Sequence, residues 1–155
     1  MNKEIEDIKW FRTNKPLDEI KINILSNLPF KLPEIYISLL KDSDGGSPNN
    51  SDFQYYDCQY KEYVEQAVGF IYGVCTNDYN IIKEYKNPPE FFPKDLVAFA
   101  ETGNGDLICF DYRANPTTDN PPIVYWNHEA EIGKDVSFIA KDFEEFLSML
   151  KEPED

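Results

Sequence analysis

The sequence predicts an α+β fold, in which a single domain has a mainly antiparallel sheet, helices packed on one face of it and a C-terminal helix. Three observations support this prediction. Short apolar segments at residues 96–100, 107–112 and 123–126 are separated by turn sequences, as in a β-meander. Apolar residues recur at helical spacing near both ends of the chain. Ten Tyr and eleven Phe among 155 residues favour a core that contains a sheet.

The N-terminal part predicts two short amphipathic helices. The first lies within residues 1–15, and its apolar positions are Ile5, Ile8 and either Trp10 or Phe11. Pro16 suits the first position of the second helix, because proline lacks the N–H that a first turn leaves unpaired. Pro29 is expected to end that helix. Its predicted buried face comprises Leu17, Ile20, Ile24 and Leu28.

A third helix is predicted to begin at residues 32–34. Pro33 fits its first turn, and the carboxylate of Glu34 is favourable near the positive end of the helix dipole. The glycine pair at 45–46 is expected to terminate it. Its predicted buried stripe comprises Ile35, Tyr36, Leu39 and Leu40.

The middle of the chain is expected to alternate between strand and helix. Phe53, Tyr55 and Asp57 alternate like a strand with one solvated face. Residues 64–74 favour a strand, although their first part is also compatible with a helix. A short helix is expected within 77–86, where Tyr79, Ile82 and Tyr85 recur every three residues.

Residues 96–126 form the predicted meander. Asn104-Gly105 between apolar runs is a strong hairpin signal, because both central residues of a type I′ turn need positive φ. After a further apolar segment at 136–140, Asp142 is expected to cap the last helix. The buried face of that helix is expected to comprise Phe143, Phe146, Leu147 and Leu150. Residues 152–155 are expected to fray.

The charge and the cysteines limit the classes of function. Fifteen basic against 29 acidic residues give a net charge of −14, so we expect no direct binding to nucleic acid, which needs clustered Lys and Arg. The charge is compatible with a solubility role alone or with a basic partner. Cys58, Cys75 and Cys109 are odd in number and far apart, which fits free thiols in a cytoplasmic protein. No apolar run has membrane-spanning length, so no membrane association is expected.

The residue patterns that suggest chemistry are incomplete. The segment 42–46 begins like a calcium loop but lacks the later ligands. The G-x-G at 103–105 precedes a strand rather than a helix, so turn geometry explains it. His128 is the single histidine of the chain, which disfavours a zinc site or a catalytic triad. An acid pair of Asp106 or Asp111 with Glu129 stays open. We otherwise expect no enzyme, no metal and no cofactor.

Four segments, taken in order, carry a family resemblance. They are LPEIYISLL at 32–40 with Gly45-Gly46, Phe92-Pro93 with 96–111, VYWNHE at 124–129, and IAKDFEEFL at 139–147. They resemble, respectively, the LP-x-x-Y-x-x-x-L helix, the Gly-Asp hairpin, the W-x-H-E strand end and the closing S-F-x-x-F-L helix of the SUKH superfamily. That superfamily includes fungal cell-wall-assembly regulators and many bacterial immunity proteins. Lys141-Asp142 stands where the family usually has a nearby Ser, and residues 47–86 match only loosely.

The resemblance implies one SUKH-like domain over 1–155, with its core at roughly 16–151 between the N-terminal helix and the frayed tail. It implies a non-enzymatic domain that binds other proteins. In bacteria the implied role is immunity, in which the protein neutralises a cognate toxin, often a nuclease, in the producing cell. The acidic charge suits a basic partner of that kind independently.

Two functions therefore follow as expectations. The first is an acidic immunity protein that occludes the active site of a cognate toxin; the alternative is a regulatory scaffold related to cell-wall assembly. For the first, Tyr125 and Trp126 alternate on the third strand of the meander, so one of them should face solvent and serve as an anchor. The oligomeric state is left open. The residues expected to contact the partner are Asp106, Asp111, Tyr125, Trp126, His128 and Glu129.

Overall fold

A computed structural model describes residues 9–153, which form nine strands and four helices. The strands are β1 (Trp10–Thr13), β2 (Gly46–Pro48), β3 (Asp52–Asp57), β4 (Glu62–Ala67), β5 (Phe70–Ile71), β6 (Leu96–Glu101), β7 (Leu107–Asp111), β8 (Ile123–Trp126) and β9 (Val136–Ala140). The helices are α1 (Glu19–Ser26), α2 (Glu34–Asp42), α3 (Ile81–Lys86) and α4 (Phe143–Met149). The predicted α+β class is confirmed.

Seven of these strands form one antiparallel sheet. Its order is β1-β2-β5-β6-β7-β8-β9, and β3 and β4 form a separate two-stranded hairpin. The predicted meander is confirmed as β6, β7 and β8, where Cys109 lies opposite Ala98 on one side and Val124 on the other. Every residue of β8 and the first four residues of β7 are buried, because other elements cover both faces of the sheet here.

Tyr36 of α2 lies at the centre of the helical layer. Its ring meets Phe99, Phe110 and Phe143 edge to face, with centroids 5.4 to 6.3 Å apart. Its buried hydroxyl donates to the carbonyl of Tyr72 at 2.6 Å, which satisfies the polar end of the side chain. The predicted stripe is confirmed for Tyr36, Leu39 and Leu40, and the predicted helical layer consists of α2 and α4.

Helix α3 and the segment after it cover the opposite face of the sheet. Asn80 caps α3 by accepting from the N–H groups of Ile82 and Lys83, and Ile81 is fully buried. Further along the chain, the ring of Phe92 packs edge to face on Trp126 at 5.1 Å. The helix predicted within 77–86 is thus confirmed in its second half.

The turn between β6 and β7 differs from the predicted type I′ turn. Positive φ falls on Gly103 (+92°) and Gly105 (+98°), not on Asn104. The side-chain oxygen of Asn104 instead accepts from the N–H of Asp106 at 3.1 Å. This side-chain bond replaces a backbone turn bond, as Asn commonly does, and gives a five-residue loop.

The helices expected near the N-terminus are partly wrong. Residues 10–13 of the helix predicted within 1–15 form β1, which pairs with β2; residues 1–8 lie outside the described part of the chain. The second helix begins after Asp18, its cap, and not at Pro16. Two residues of its predicted buried face, Ile20 and Ile24, are 73% and 50% exposed. Local spacing misled the prediction because β1 depends on a partner strand more than thirty residues away.

The remaining elements agree with the sequence in kind and differ in their bounds. The segment predicted as a strand at 64–74 forms the end of β4 and then β5, with Gly69 between them. The predicted cap of the last helix is confirmed, since Asp142 accepts from the N–H of Glu145 at 2.8 Å. The four residues predicted for its apolar face, Phe143, Phe146, Leu147 and Leu150, are all buried.

Candidate functional site

The carboxylate of Asp106 joins the β6–β7 loop to the end of β8. One oxygen accepts from the hydroxyl of Tyr125 at 2.5 Å. The other accepts from the backbone N–H of His128 at 3.1 Å and lies 2.6 Å from Nδ1 of the same residue. Asp106 is only 5% exposed, so these bonds replace the water it has lost. We call Gly105, Asp106, Tyr125 and His128 the Asp106 junction.

Gly105 is required at this junction for two reasons. Its φ of +98° lies where side chains are strained. In addition, a Cβ placed on it would lie 2.8 Å from Cε1 of His128, which is too close for two carbon atoms. The glycine therefore lets the histidine ring lie against the loop, where it reaches Asp106.

Tyr125 and Trp126 are both buried, 1% and 3% exposed, so the expectation that one of them faces solvent is wrong. The physical reason is that β8 lies inside the sheet and both of its faces are covered. Tyr55 stacks on Tyr125 with ring centroids 4.4 Å apart, and Phe92 covers Trp126. Burial raises the pKa of Tyr125, and the hydrogen bond to Asp106 raises it further, so its phenol stays protonated as a donor.

Asp111 lies apart from the other predicted residues. It follows Asp106 by five residues along β7, which corresponds to roughly 16 Å of strand. Both of its oxygens bind the guanidinium of Arg113, at 2.9 Å each. The interaction holds the pKa of Arg113 above its usual value. The structure thus does not bring Asp111 and Glu129 together as an acid pair.

His128 lies between two carboxylates of different exposure. Its Nδ1 faces Asp106, and its Nε2 is 3.5 Å from Oε1 of Glu129, which is 82% exposed. An Asp–His pair can activate a hydroxyl or thiol nucleophile. In the described part of the chain, however, no hydroxyl or thiol hydrogen-bonds to this ring. The arrangement can orient Glu129 at the surface, where it is available to a partner.

Two cavities of the protein lie away from the Asp106 junction. Their volumes are about 420 and 480 Å³, and they lie beside Val68 and Phe70 and beside Leu28 and Phe30, respectively. Across residues 9–153, no three acidic, histidine or cysteine side chains gather closely enough to hold a metal ion. The same residues include no helix with the length and apolar character that crossing a membrane requires.

The exposed tyrosines of the β3–β4 hairpin are not among the contact residues predicted from the sequence. Tyr56, Tyr60 and Tyr63 are 46%, 65% and 68% exposed. The alternation that placed Phe53 and Tyr55 on one face of a strand also placed Tyr56 on the other, so this signal was present. Position 63 gave no such signal, because it depends on how β3 and β4 pair.

A comparison with known protein families gives a match over most of the chain. A family model described as the SMI1 / KNR4 family (SUKH-1) matches residues 17–149, which is most of the chain. No curated protein matches this chain.

Proposed function

The chain belongs to the SMI1 / KNR4 family (SUKH-1), and we propose that it is an immunity protein that neutralises a cognate protein toxin. We infer a cytoplasmic protein that works by binding and carries no catalytic activity of its own. The proposed toxin is basic, and a nuclease is the kind we favour. Occupation of its active site would block access of the substrate.

The observation that carries the proposal is the strongly negative net charge of this chain, taken together with its family. Its net charge is −14. A nuclease needs a basic groove for phosphates, and an acidic protein can occupy such a groove. Opposite charges also speed the encounter of the two proteins, an effect that salt screens. This family match and this charge together favour toxin binding over the scaffold role.

The candidate residues take different roles in this proposal. Glu129 is the exposed carboxylate that would meet a basic side chain of the toxin, with the accessible edge of His128 beside it. Asp106, Tyr125 and Trp126 would support them from within. The carboxylate of Asp111 is already neutralised by Arg113, so we propose a minor contact for it.

The test is coexpression with the toxin encoded beside the gene. We expect cells that make both proteins to grow, and cells that make the toxin alone to arrest. The purified proteins should elute from gel filtration as one complex. Growth arrest that this protein does not relieve, with no complex, would contradict the proposal. Recovery of several cellular proteins and no toxin from a pull-down would favour the regulatory scaffold instead.

A further inference from the structure

The β3–β4 hairpin has one face fixed to the protein and one face free. On its inner face, Phe53 and Tyr55 are 1% and 4% exposed. Phe53 packs on Phe146 of α4 with ring centroids 5.6 Å apart, and Tyr55 stacks on Tyr125. Residues of a strand point alternately to opposite faces, so this packing turns the neighbouring residues outward.

Three exposed tyrosines, Tyr56, Tyr60 and Tyr63, form what we call the tyrosine face. Tyr56 and Tyr63 lie directly opposite each other on the two strands. Their rings meet edge to face at 5.2 Å. Other large exposed apolar side chains, such as Ile132 and Phe138, belong to other segments. Isolated exposed residues are ordinary, but three aromatic rings on one hairpin are not.

The tip of the hairpin, which carries Tyr60, is held rigidly. A buried carboxylate oxygen of Asp57 accepts from the N–H groups of Gln59 and Tyr60, at 2.9 Å each. The N–H of Lys61 closes the turn on the carbonyl of Asp57 at 2.8 Å. The side chain of Gln59 accepts from the N–H of Glu131 at 2.8 Å, which connects the tip to the loop that bears Glu129. The rings therefore lose little backbone freedom on binding.

The charges around these rings are mostly negative. Residues 52–67 contain one basic residue, Lys61, and four acidic residues, of which Glu62 and Glu65 are exposed beside Tyr63. Glu65 pairs with Gln54 on the same outward face as the Tyr56–Tyr63 pair. Tyrosine rings bind cations through their faces, and carboxylates bind them directly. A second copy of this acidic chain would be repelled at such a surface.

We propose that the tyrosine face is the surface that contacts a basic protein, with arginine and lysine side chains of the partner lying on the three rings. The inference rests on the proposed immunity function and adds to Glu129 a second surface of this chain that performs it. Glu62 and Glu65 steer the partner, and the rings hold it. Tyrosine is the residue type that combines large contact area with low loss of side-chain freedom at interfaces.

The test uses the toxin domain encoded beside the gene, made inactive by substitution of its catalytic residue. We expect the variant Tyr56→Ser/Tyr60→Ser/Tyr63→Ser to bind it at least about 100-fold more weakly than the unaltered protein. The variant with Phe at the same three positions keeps the rings and should stay within about threefold. A matched control, Ile20→Ser/Ile24→Ser on α1, removes exposed apolar side chains elsewhere and should leave the affinity unchanged.

A second variant tests the charges. Glu62→Lys/Glu65→Lys should slow association about tenfold at low salt, and the difference should shrink as salt is added. Circular dichroism checks that each variant is folded. If the unaltered protein binds the toxin and the serine variant binds equally well, this inference is wrong and the immunity function stands. If the unaltered protein binds no toxin, the proposed function itself fails. A dimer that the serine variant dissociates, at unchanged toxin affinity, would also overturn the inference.

Discussion

The Asp106 junction and the tyrosine face contrast in how their side chains are satisfied. At the junction, both oxygens of a buried carboxylate bind groups of the protein itself. On the tyrosine face, three rings are 46% to 68% exposed, and those of Tyr56 and Tyr63 meet each other. The residue types that suggest chemistry, an acid beside a histidine, thus serve mainly the fold. The tyrosine face, which is exposed and available for contact with a partner, consists of residues that form no sequence motif.

Substitutions on the two faces of the β3–β4 hairpin should differ most in their effect on the free energy of unfolding. Tyr55→Ala should lower the free energy of unfolding by about 3–5 kcal/mol, because it empties a fully packed position against Tyr125. Tyr63→Ala, on the outer face, should change it by less than about 0.5 kcal/mol. Urea denaturation of both variants measures this. Equal losses would show that the outer face is also part of the core.

Removal of the central carboxylate tests the junction itself. Asp106→Ala should cost about 3 kcal/mol, because it leaves the buried hydroxyl of Tyr125 and the N–H of His128 without their acceptor. Asp111→Ala, at the other end of β7, is the matched control. It removes a pair with Arg113, whose side chain is 46% exposed, and should cost less than about 1 kcal/mol. A junction that tolerates Asp106→Ala as well as the control would not be structural.

Substitutions of the two glycines in the β6–β7 loop distinguish the cost of backbone strain from the cost of steric crowding. Both have positive φ, but a Cβ at Gly103 meets nothing within 4 Å, whereas one at Gly105 meets the ring of His128. Gly103→Ala should cost about 1 kcal/mol from backbone strain alone. Gly105→Ala should cost about 2 kcal/mol or more, because the ring must also move away from Asp106. Thermal unfolding of the two variants provides the measurement, and equal costs would contradict the close approach of the ring.

A third carboxylate, that of Asp44, shows how incomplete hydrogen bonding affects the pKa of a buried acid. One of its oxygens accepts from the N–H of Val74 at 2.8 Å, and the other is buried without a partner among the described residues. Burial raises the pKa of Asp44 above its ordinary value. The folded state therefore binds this proton more tightly than the unfolded state, so stability declines as pH rises through the folded pKa.

Asp44→Asn should remove this decline, since Asn does not titrate. The free energy of unfolding of the unaltered protein minus that of the variant should be larger at pH 4 than at pH 7. Denaturation at the two pH values measures the change, which we expect to be the smallest of the four effects. The same difference at both pH values would contradict the raised pKa of this carboxyl.

Local patterns predicted the parts of the fold that depend on neighbouring residues. The stripe of Tyr36, Leu39 and Leu40 and the Asp142 cap were confirmed because helix spacing and capping are local properties. The exposure of Ile20 and the burial of Trp126 could not be predicted from local patterns. They depend on which elements cover a given face, and those elements lie far away in the sequence.

The sequence predicted several residues of the candidate site, but it did not predict how they are arranged in space. The sequence suggested Asp106 and His128 as neighbours of a contact surface, and the structure brings them together. Asp111 was placed with them, although strand geometry carries it to the other end of β7. The pairing of Tyr56 with Tyr63 was missed because it depends on the register of β3 on β4, and no local pattern encodes that register.

The most direct test of the division between a structural junction and a binding face is amide hydrogen exchange on the toxin complex. We predict that toxin binding slows exchange across residues 54–65 and in the neighbouring loop at 129–134, while amides around Asp106 keep the rates that they have in the free protein. Slower exchange confined to α1 or to β1, with residues 54–65 unchanged in the bound protein, would contradict it.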